Sequence, residues 1–250
     1  MVNRRDDLVI GRQPVLEALK QGRPEKILMV AGQRGASVDS ILKLARGRRV
    51  PVRRIPRSEF ERVVGSLSGC QGVAALVKPF AYLSLDALLS GDVSFQEPPC
   101  LVLLDHLQDP QNLGAIIRTA YFAGAEAVII PRRRAAPITP AARKAAAGAA
   151  EKLPVVQVSN MVQTMGRLKQ EGYWVYGAEA DGDLTFYQAD YGVPLALVLG
   201  SEGKGLSPLV RRHCDQILYI PMGRPGGSLN VSVAAAILMF TASGRRQGWY

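Results

Sequence analysis

Short apolar runs recur along the last 150 residues, each followed by a turn and then by helical spacing. They are CLVLLD (100–105), AEAVIIP (125–131), Val155 to Val158, YWVYGAEA (173–180), LALVLG (195–200) and Ile217 to Met222. Runs of this length without polar alternation suit strands buried on both faces. Repeated βα units of this kind predict an α/β fold with a mainly parallel sheet covered on both sides by helices. Helices are expected from Ala115 to Ala123, from Thr139-Pro140 through Ala150, from Met161 to Gln170 and from Leu206 to His213. Thr139 followed by Pro140 is an N-cap followed by a first-turn proline. HLQDPQNLG (106–114) reads as a loop. A last helix opens at Ser228 or Asn230, both good caps, and runs through Leu238. Before it, Gly223 to Gly227 form a Gly/Pro-rich loop. A strand ending in such a loop at a helix N-terminus is where open α/β sheets hold ligands.

Residues 8–78 alternate helix and strand on a smaller scale. Pro14 starts a helix with Val15, Leu16 and Leu19 on one face. EKILMVA (25–31), Val50 to Ile55 and GVAALV (72–77) read as strands. Ser37 or Ser40 caps a helix that ends at Gly47. Ser58 and Glu61 have capping-box spacing for a helix from Glu59 to Leu67. The expected organisation is a small N-terminal α/β domain (1–78), a Pro/Gly-bracketed linker (79–99) holding a short helix in 82–89, and a C-terminal domain (100–250).

The charge is uneven. Residues 1–78 hold 16 Lys/Arg against 7 Asp/Glu, a net of +9, and residues 79–250 hold 15 against 14, a net of +1. An anionic partner for the first domain follows. Phe60 is the only aromatic residue there, which favours grip on the backbone and shape of folded RNA over base stacking. Cys70, Cys100 and Cys214 are far apart and odd in number, fitting a reducing cytoplasm without a disulfide framework. The N-terminus lacks a signal-peptide apolar core, and no uninterrupted apolar run reaches about 18 residues, so no membrane span is expected. Two histidines, His106 and His213, give no metal-ligand spacing. GSEGKGLS lacks the glycine spacing of a P-loop, and neither a dinucleotide-binding glycine fingerprint nor a Gly-x-Ser-x-Gly elbow occurs.

Three stretches, NLGAIIRTA (112–120), LALVLGSEGKGLS (195–207) and ILYIPMGRPGGSLNVSVAAAILMF (217–240), resemble in order and spacing the three motifs of the SpoU/TrmH family of RNA ribose 2′-O-methyltransferases. The N-terminal part resembles the substrate-binding domain that precedes the catalytic one in many members, and the whole is similar to the branch that methylates a guanosine of 23S rRNA. The resemblance implies S-adenosylmethionine as cofactor, a trefoil knot in the C-terminal domain, a ribosomal-protein-like RNA-binding fold in the N-terminal one, and a homodimer through the knotted domains. It implies Arg118, Asn112, Glu202, Asn230 and Ser228 at the reactive centre, and Gly200, Ile220 and Leu229 around the cofactor. Arg118 has two readings in that frame: a base that loses its proton to an RNA phosphate, or a bidentate grip on the phosphate beside the target ribose. A guanidinium stays protonated in proteins, which favours the grip. Two features depart from the family pattern: Cys70 stands where a histidine is frequent, and GRPGG replaces a serine-rich segment. Action on tRNA or on another rRNA site, and a non-catalytic RNA-binding role, are the competing expectations.

Overall fold

The structure, a computed structural model, describes residues 8–21, 24–64, 71–90, 98–224 and 227–249. The expected helix end at Leu67, Cys70, the middle of the linker, and Pro225 and Gly226 of the glycine loop lie outside the described residues. The chain divides into two compact units, residues 1–81 and 82–250.

The first unit is a four-stranded sheet of order β1-β4-β2-β3, made of β1 (Leu8–Ile10), β2 (Lys26–Val30), β3 (Val52–Ile55) and β4 (Val73–Leu76). Only β2 and β3 pair in parallel; β4 runs antiparallel to both β1 and β2. Alternation along β2 decides which helix covers which face. Ile27 and Met29 pack with α1 (Arg12–Gln21) and α2 (Ala36–Gly47) through Val15, Leu19, Val38 and Ile41. Leu28 points the other way, onto Phe60 and Val64 of α3 (Arg57–Val64). Three local readings are corrected. α1 begins at Arg12, two residues before the expected start at Pro14. α2 is capped by Gly35 without a side-chain bond, so neither Ser37 nor Ser40 is the cap, and the Ser40 hydroxyl donates back to the Ala36 carbonyl. α3 begins at Arg57, one residue before the expected cap Ser58, and Glu61 pairs with Arg57 at 2.9 Å.

The second unit carries seven strands in the order β7-β6-β5-β10-β8-β11-β9, and every pairing is parallel. They are β5 (Cys100–Leu104), β6 (Ala127–Pro131), β7 (Val155–Val158), β8 (Trp174–Ala178), β9 (Leu184–Thr185), β10 (Leu195–Leu199) and β11 (Gln216–Tyr219). Leu101, Leu103, Ala196 and Val198 point to one face, under α7 (Met161–Gln170) and α8 (Pro208–His213). By alternation Val102, Leu104, Val128 and Leu197 serve the other face. There α5 (Pro110–Phe122) packs against both α6 (Pro140–Ala146) and the long α9 (Val231–Gln247).

α5 starts five residues before the expected Ala115. The Asp109 carboxylate caps it by accepting from the N–H groups of Gln111 and Asn112, and Pro110 fills the first helical position. Gly114, expected at the end of a loop, lies inside the helix, where a side chain would strike the Ala142 carbonyl of α6. α6 stops at Ala146, short of Ala150, where Ala147 turns left-handed (φ 48°).

Residues 82–89, expected within the linker, belong to the second unit. In the structure α4 (Leu85–Leu89), capped by Ser84, lies on the second unit. Leu83 bridges to Val156, and Leu88 is fully buried in the α7/α8-side core. Leu88→Ala should therefore destabilise the second unit by about 2–5 kcal/mol, the usual cost of emptying a core leucine site. Calorimetry would register this as a lowered transition for that unit.

Candidate active site

A hollow of about 560 Å³ opens at the carboxyl ends of β8, β10 and β11. Parallel sheets place ligand sites there because each strand end feeds a loop free of sheet hydrogen bonds. The loop after β10 is a tight turn: Ser201 and Gly205 exchange backbone hydrogen bonds at 2.9–3.0 Å, and Gly203 and Gly205 adopt φ of 74° and 64°. Gly200 stands where this turn folds back over the strand. A Cβ there would overlap the Gly205 carbonyl group and the Leu206 nitrogen, all of them backbone atoms. β11 ends at Tyr219 rather than Met222. That places Ile220 and Met222 on the loop that lines the hollow. Leu199, Leu218, Ile220, Met222 and Leu229 supply its apolar wall.

Asn230 settles the choice between the two expected caps of the last helix. Its side-chain oxygen accepts from the Ser232 N–H at 2.8 Å and from the Ser232 hydroxyl at 2.6 Å. Its amide nitrogen donates to the Asn112 side-chain oxygen and to Glu202 Oε1, each at 3.1 Å. Asn112, which is nearly buried, donates in turn to Glu202. Three residues 28 to 118 positions apart thus close one hydrogen-bonded cluster on the rim of the hollow. Each amide uses both ends, so the cluster fixes the orientation of every member.

Of the eight expected site residues, Gly200, Glu202, Ile220, Ser228, Leu229 and Asn230 line the hollow, and Asn112 is tied to it through the cluster. Arg118 is not brought there: it is exposed and does not line the hollow. Six residues along a helix amount to about 9 Å of rise and roughly 240° of rotation, so Arg118 leaves α5 on a different side from Asn112.

Two groups that sequence reasoning passed over belong to the site's frame. Glu179, just past the end of β8, lines the hollow, accepts from the Leu206 N–H at 2.7 Å and pairs with Arg211, which also reaches Asp181 at 2.8 Å. Asp105, buried just past β5, accepts from the Ser207 N–H at 2.7 Å and meets His106 Nδ1. The signal for both was a carboxylate just past an apolar strand, where it can hold the loop that follows the next strand. Neither cysteine in the described residues is poised as a nucleophile. Burial pushes the Cys100 thiol up to about 11, against the pull of Arg246, and the Cys214 thiol up to about 12.

The lining is apolar with three carboxylates, Glu179, Asp181 and Glu202, and a single lysine, Lys204. Such a site suits a flat apolar ring joined to a cationic group and disfavours a polyphosphate. Asn112→Asp tests the cluster, because it sets a second carboxylate against Glu202 where an amide now donates. We expect the melting temperature to fall by several degrees and cofactor affinity to fall by at least about tenfold, the cost of one repelling or lost charge-assisted contact. Scanning calorimetry and a cofactor titration check both.

No described helix is long and apolar enough to cross a membrane. The profile of the SpoU rRNA methylase family matches residues 99–240, and that of the RNA 2′-O ribose methyltransferase substrate-binding domain matches residues 8–83. A protein of Staphylococcus saprophyticus assigned to the TrmH family of tRNA/rRNA methyltransferases is 38% identical over 240 residues, covering 96% of each chain. Its Bacillus subtilis counterpart YacO is 37% identical over 246 residues, 98% of each. Among solved structures, an RNA methyltransferase of the TrmH family from Porphyromonas gingivalis superposes with a TM-score of 0.58 at 28% identity, over 95% of this chain and 89% of that one. The SpoU methyltransferase AviRb of Streptomyces viridochromogenes, solved with AdoMet, shares the fold at a TM-score of 0.62 and 24% identity, over 96% and 90%. The motif-bearing strand ends, the loops that meet at the hollow and these matches along nearly the whole chain agree: this protein belongs to the SpoU/TrmH family of RNA methyltransferases.

Proposed function

We propose that this chain methylates a ribose 2′-hydroxyl of RNA, that of a guanosine in 23S rRNA, with S-adenosylmethionine held in the hollow bounded by Gly200, Ile220 and Leu229. The observation that carries the reading is the Asn112–Glu202–Asn230 cluster on the rim of that hollow. The cofactor supplies a methyl group on a sulfonium, already activated for transfer. What remains for the protein is to hold a neutral sugar hydroxyl in line and to ease loss of its proton. Positioning of this kind contributes up to about 7–11 kcal/mol in well-aligned systems.

The chain's residues divide that work. Gly200 lets the 201–205 turn close over the strand end. Ile220, Met222 and Leu229 flank the adenine while neighbouring backbone groups bond its edge. Glu202, held by the neutral amides of Asn112 and Asn230, offsets the positive charge of the sulfonium, while Glu179 and Asp181 are already paired with Arg211. Ser228 and Asn230, at the mouth of α9, face the incoming ribose. Arg118 grips the phosphate beside that ribose with its two-pronged guanidinium, which fixes the hydroxyl.

The protein acts as a homodimer through residues 100–250, and Arg118 serves the hollow of the second copy. Support comes from α5 and α9, which pack together and leave Phe122, Val233 and Phe240 uncovered at 65%, 47% and 40% exposure. Val233, Ile237 and Phe240 follow one another at helical spacing, so they form an apolar stripe on one side of α9. A twofold axis through such a stripe buries it against itself and brings the partner's α5 close. The knot implied by the family resemblance belongs to this reading; β10 lying between β5 and β8 is compatible with it.

The N-terminal unit selects the RNA. Its net +9 and the substrate-binding match over residues 8–83 favour a large folded RNA over a free nucleotide. Methyl-labelled cofactor supplied with 23S rRNA or with tRNA, followed by nuclease digestion, tests the assignment. Label in 2′-O-methylguanosine from rRNA is the expected result. Label in tRNA alone would shift the substrate, and label on a base would refute the chemistry.

A further inference from the structure

Three consecutive arginines, Arg132, Arg133 and Arg134, follow β6 directly, and all three are exposed. Among the described residues, none of the three has a carboxylate partner. Residues 79–250 carry a net of only +1, so this triplet is a local concentration of charge rather than part of a generally basic surface.

The turn that presents them is held at both ends. The Arg132 N–H donates to the Val158 carbonyl and the Ala136 N–H to the Leu107 carbonyl, each at 2.8 Å. The Ile138 N–H donates to the Tyr82 hydroxyl at 2.8 Å, and Thr139 then caps α6. Between these anchors Arg134 takes a left-handed φ of 58°, a conformation usually given to glycine or asparagine. A long cationic side chain thus occupies a position where the backbone favours a small residue.

The turn also sits beside the chemistry. Leu107, which holds Ala136, lies two residues before Asp109, the cap of the helix that delivers Asn112 to the rim cluster. β6 is two strands from β10, about 10 Å across the sheet, and all these strands end on the same edge. A polyanionic strand with one ribose at the hollow therefore passes within reach of the triplet.

We propose that Arg132, Arg133 and Arg134 form a phosphate-binding turn on the catalytic unit, which clamps the RNA backbone flanking the target ribose. The inference rests on the RNA methylation reading given above. The N-terminal unit selects the molecule; the arginine turn sets the register of the strand over the hollow. Guanidinium–phosphate contacts carry no base information, so the turn contributes affinity and placement rather than sequence choice.

The test replaces all three residues in the full-length protein (Arg132→Ala, Arg133→Ala, Arg134→Ala) and measures binding to transcribed 23S rRNA across a salt series. Because the side chains are exposed, melting temperature and S-adenosylmethionine affinity should match wild type. RNA affinity should fall at least about tenfold near 0.1 M salt, and the slope of log K against log salt should become shallower by about 2, as two or three phosphate contacts are lost. KM for RNA should rise and kcat should fall as well, because a strand held out of register presents its ribose in line less often. Arg212→Ala, an exposed arginine on α8, should leave all of these unaltered. RNA affinity within twofold of wild type, or an equal loss in Arg212→Ala, would overturn the proposal while leaving the methylation reading standing. A wild-type protein that neither binds RNA nor transfers a methyl group would remove that reading and the clamp with it.

Discussion

Arg118→Ala should lower methyl transfer by about a hundred- to a thousandfold while cofactor affinity stays within about twofold, the pattern of a group that acts on the nucleophile alone. The structure gives the second half of this expectation. Within its own subunit Arg118 is exposed and does not line the hollow, so its loss leaves that subunit's apolar wall and rim cluster intact. Arg118→Lys should recover little, because a single ammonium cannot reproduce a bidentate grip on phosphate. If Arg118 serves the second copy's hollow, mixing Arg118→Ala subunits with Leu229→Arg subunits, whose own hollow is filled, should regenerate active sites. Random pairing makes half the dimers mixed, each with one competent site, so about a quarter of wild-type activity should return. No recovery on mixing would return Arg118 to its own subunit's hollow or remove it from the chemistry. Transfer at near wild-type rate in Arg118→Ala alone would refute its role outright.

Gly200→Val should be the most damaging single change in the hollow. Even a Cβ at this position overlaps the Gly205 carbonyl group and the Leu206 nitrogen, and backbone of a turn closed by two hydrogen bonds cannot swing aside as a side-chain tip can. The 201–205 turn must open, which draws Glu202 away from Asn112 and Asn230 and strips the Leu206 N–H from Glu179. We expect about 3–5 kcal/mol of lost stability, in the range of severe overpacking combined with broken buried polar contacts, and no measurable cofactor binding. Gly203→Ala is the comparison: nothing lies within 4 Å of a Cβ there, so only its left-handed φ resists and the cost should stay near 1 kcal/mol. Equal effects for the two glycines would show that the close approach at Gly200 does not hold the hollow together.

Much of this architecture is legible in the sequence for simple reasons. The buried parallel strands announce themselves as uninterrupted apolar runs, and Thr139-Pro140 and Asn230 mark helix starts by cap chemistry that depends on neighbours alone. What escaped depended on partners distant in the chain. Asp109-Pro110 carries the start signal of α5, although 106–114 reads as a loop; only the closeness of α6 explains why a glycine sits mid-helix. Ser58 and Glu61 had the right spacing for a cap, but the helix had already begun at Arg57. Glu179 and Asp105 each follow an apolar strand, but that local signal does not name what they hold, since their partners Leu206 and Ser207 come from the loop after β10. The motif residues were readable as a set, yet their grouping was not: the cluster joins Asn112, Glu202 and Asn230, while Arg118, six residues from Asn112, faces elsewhere.

The loops after β10 and β11 and the start of α9 should hold S-adenosylmethionine beside that cluster. A crystal structure of the protein with the cofactor bound tests it most directly. Density is expected in the hollow bounded by Gly200, Ile220 and Leu229, with the sulfonium end toward Asn112, Glu202 and Asn230. Cofactor bound elsewhere on the chain, or lying in the hollow with its methyl group turned away from those three residues, would contradict it.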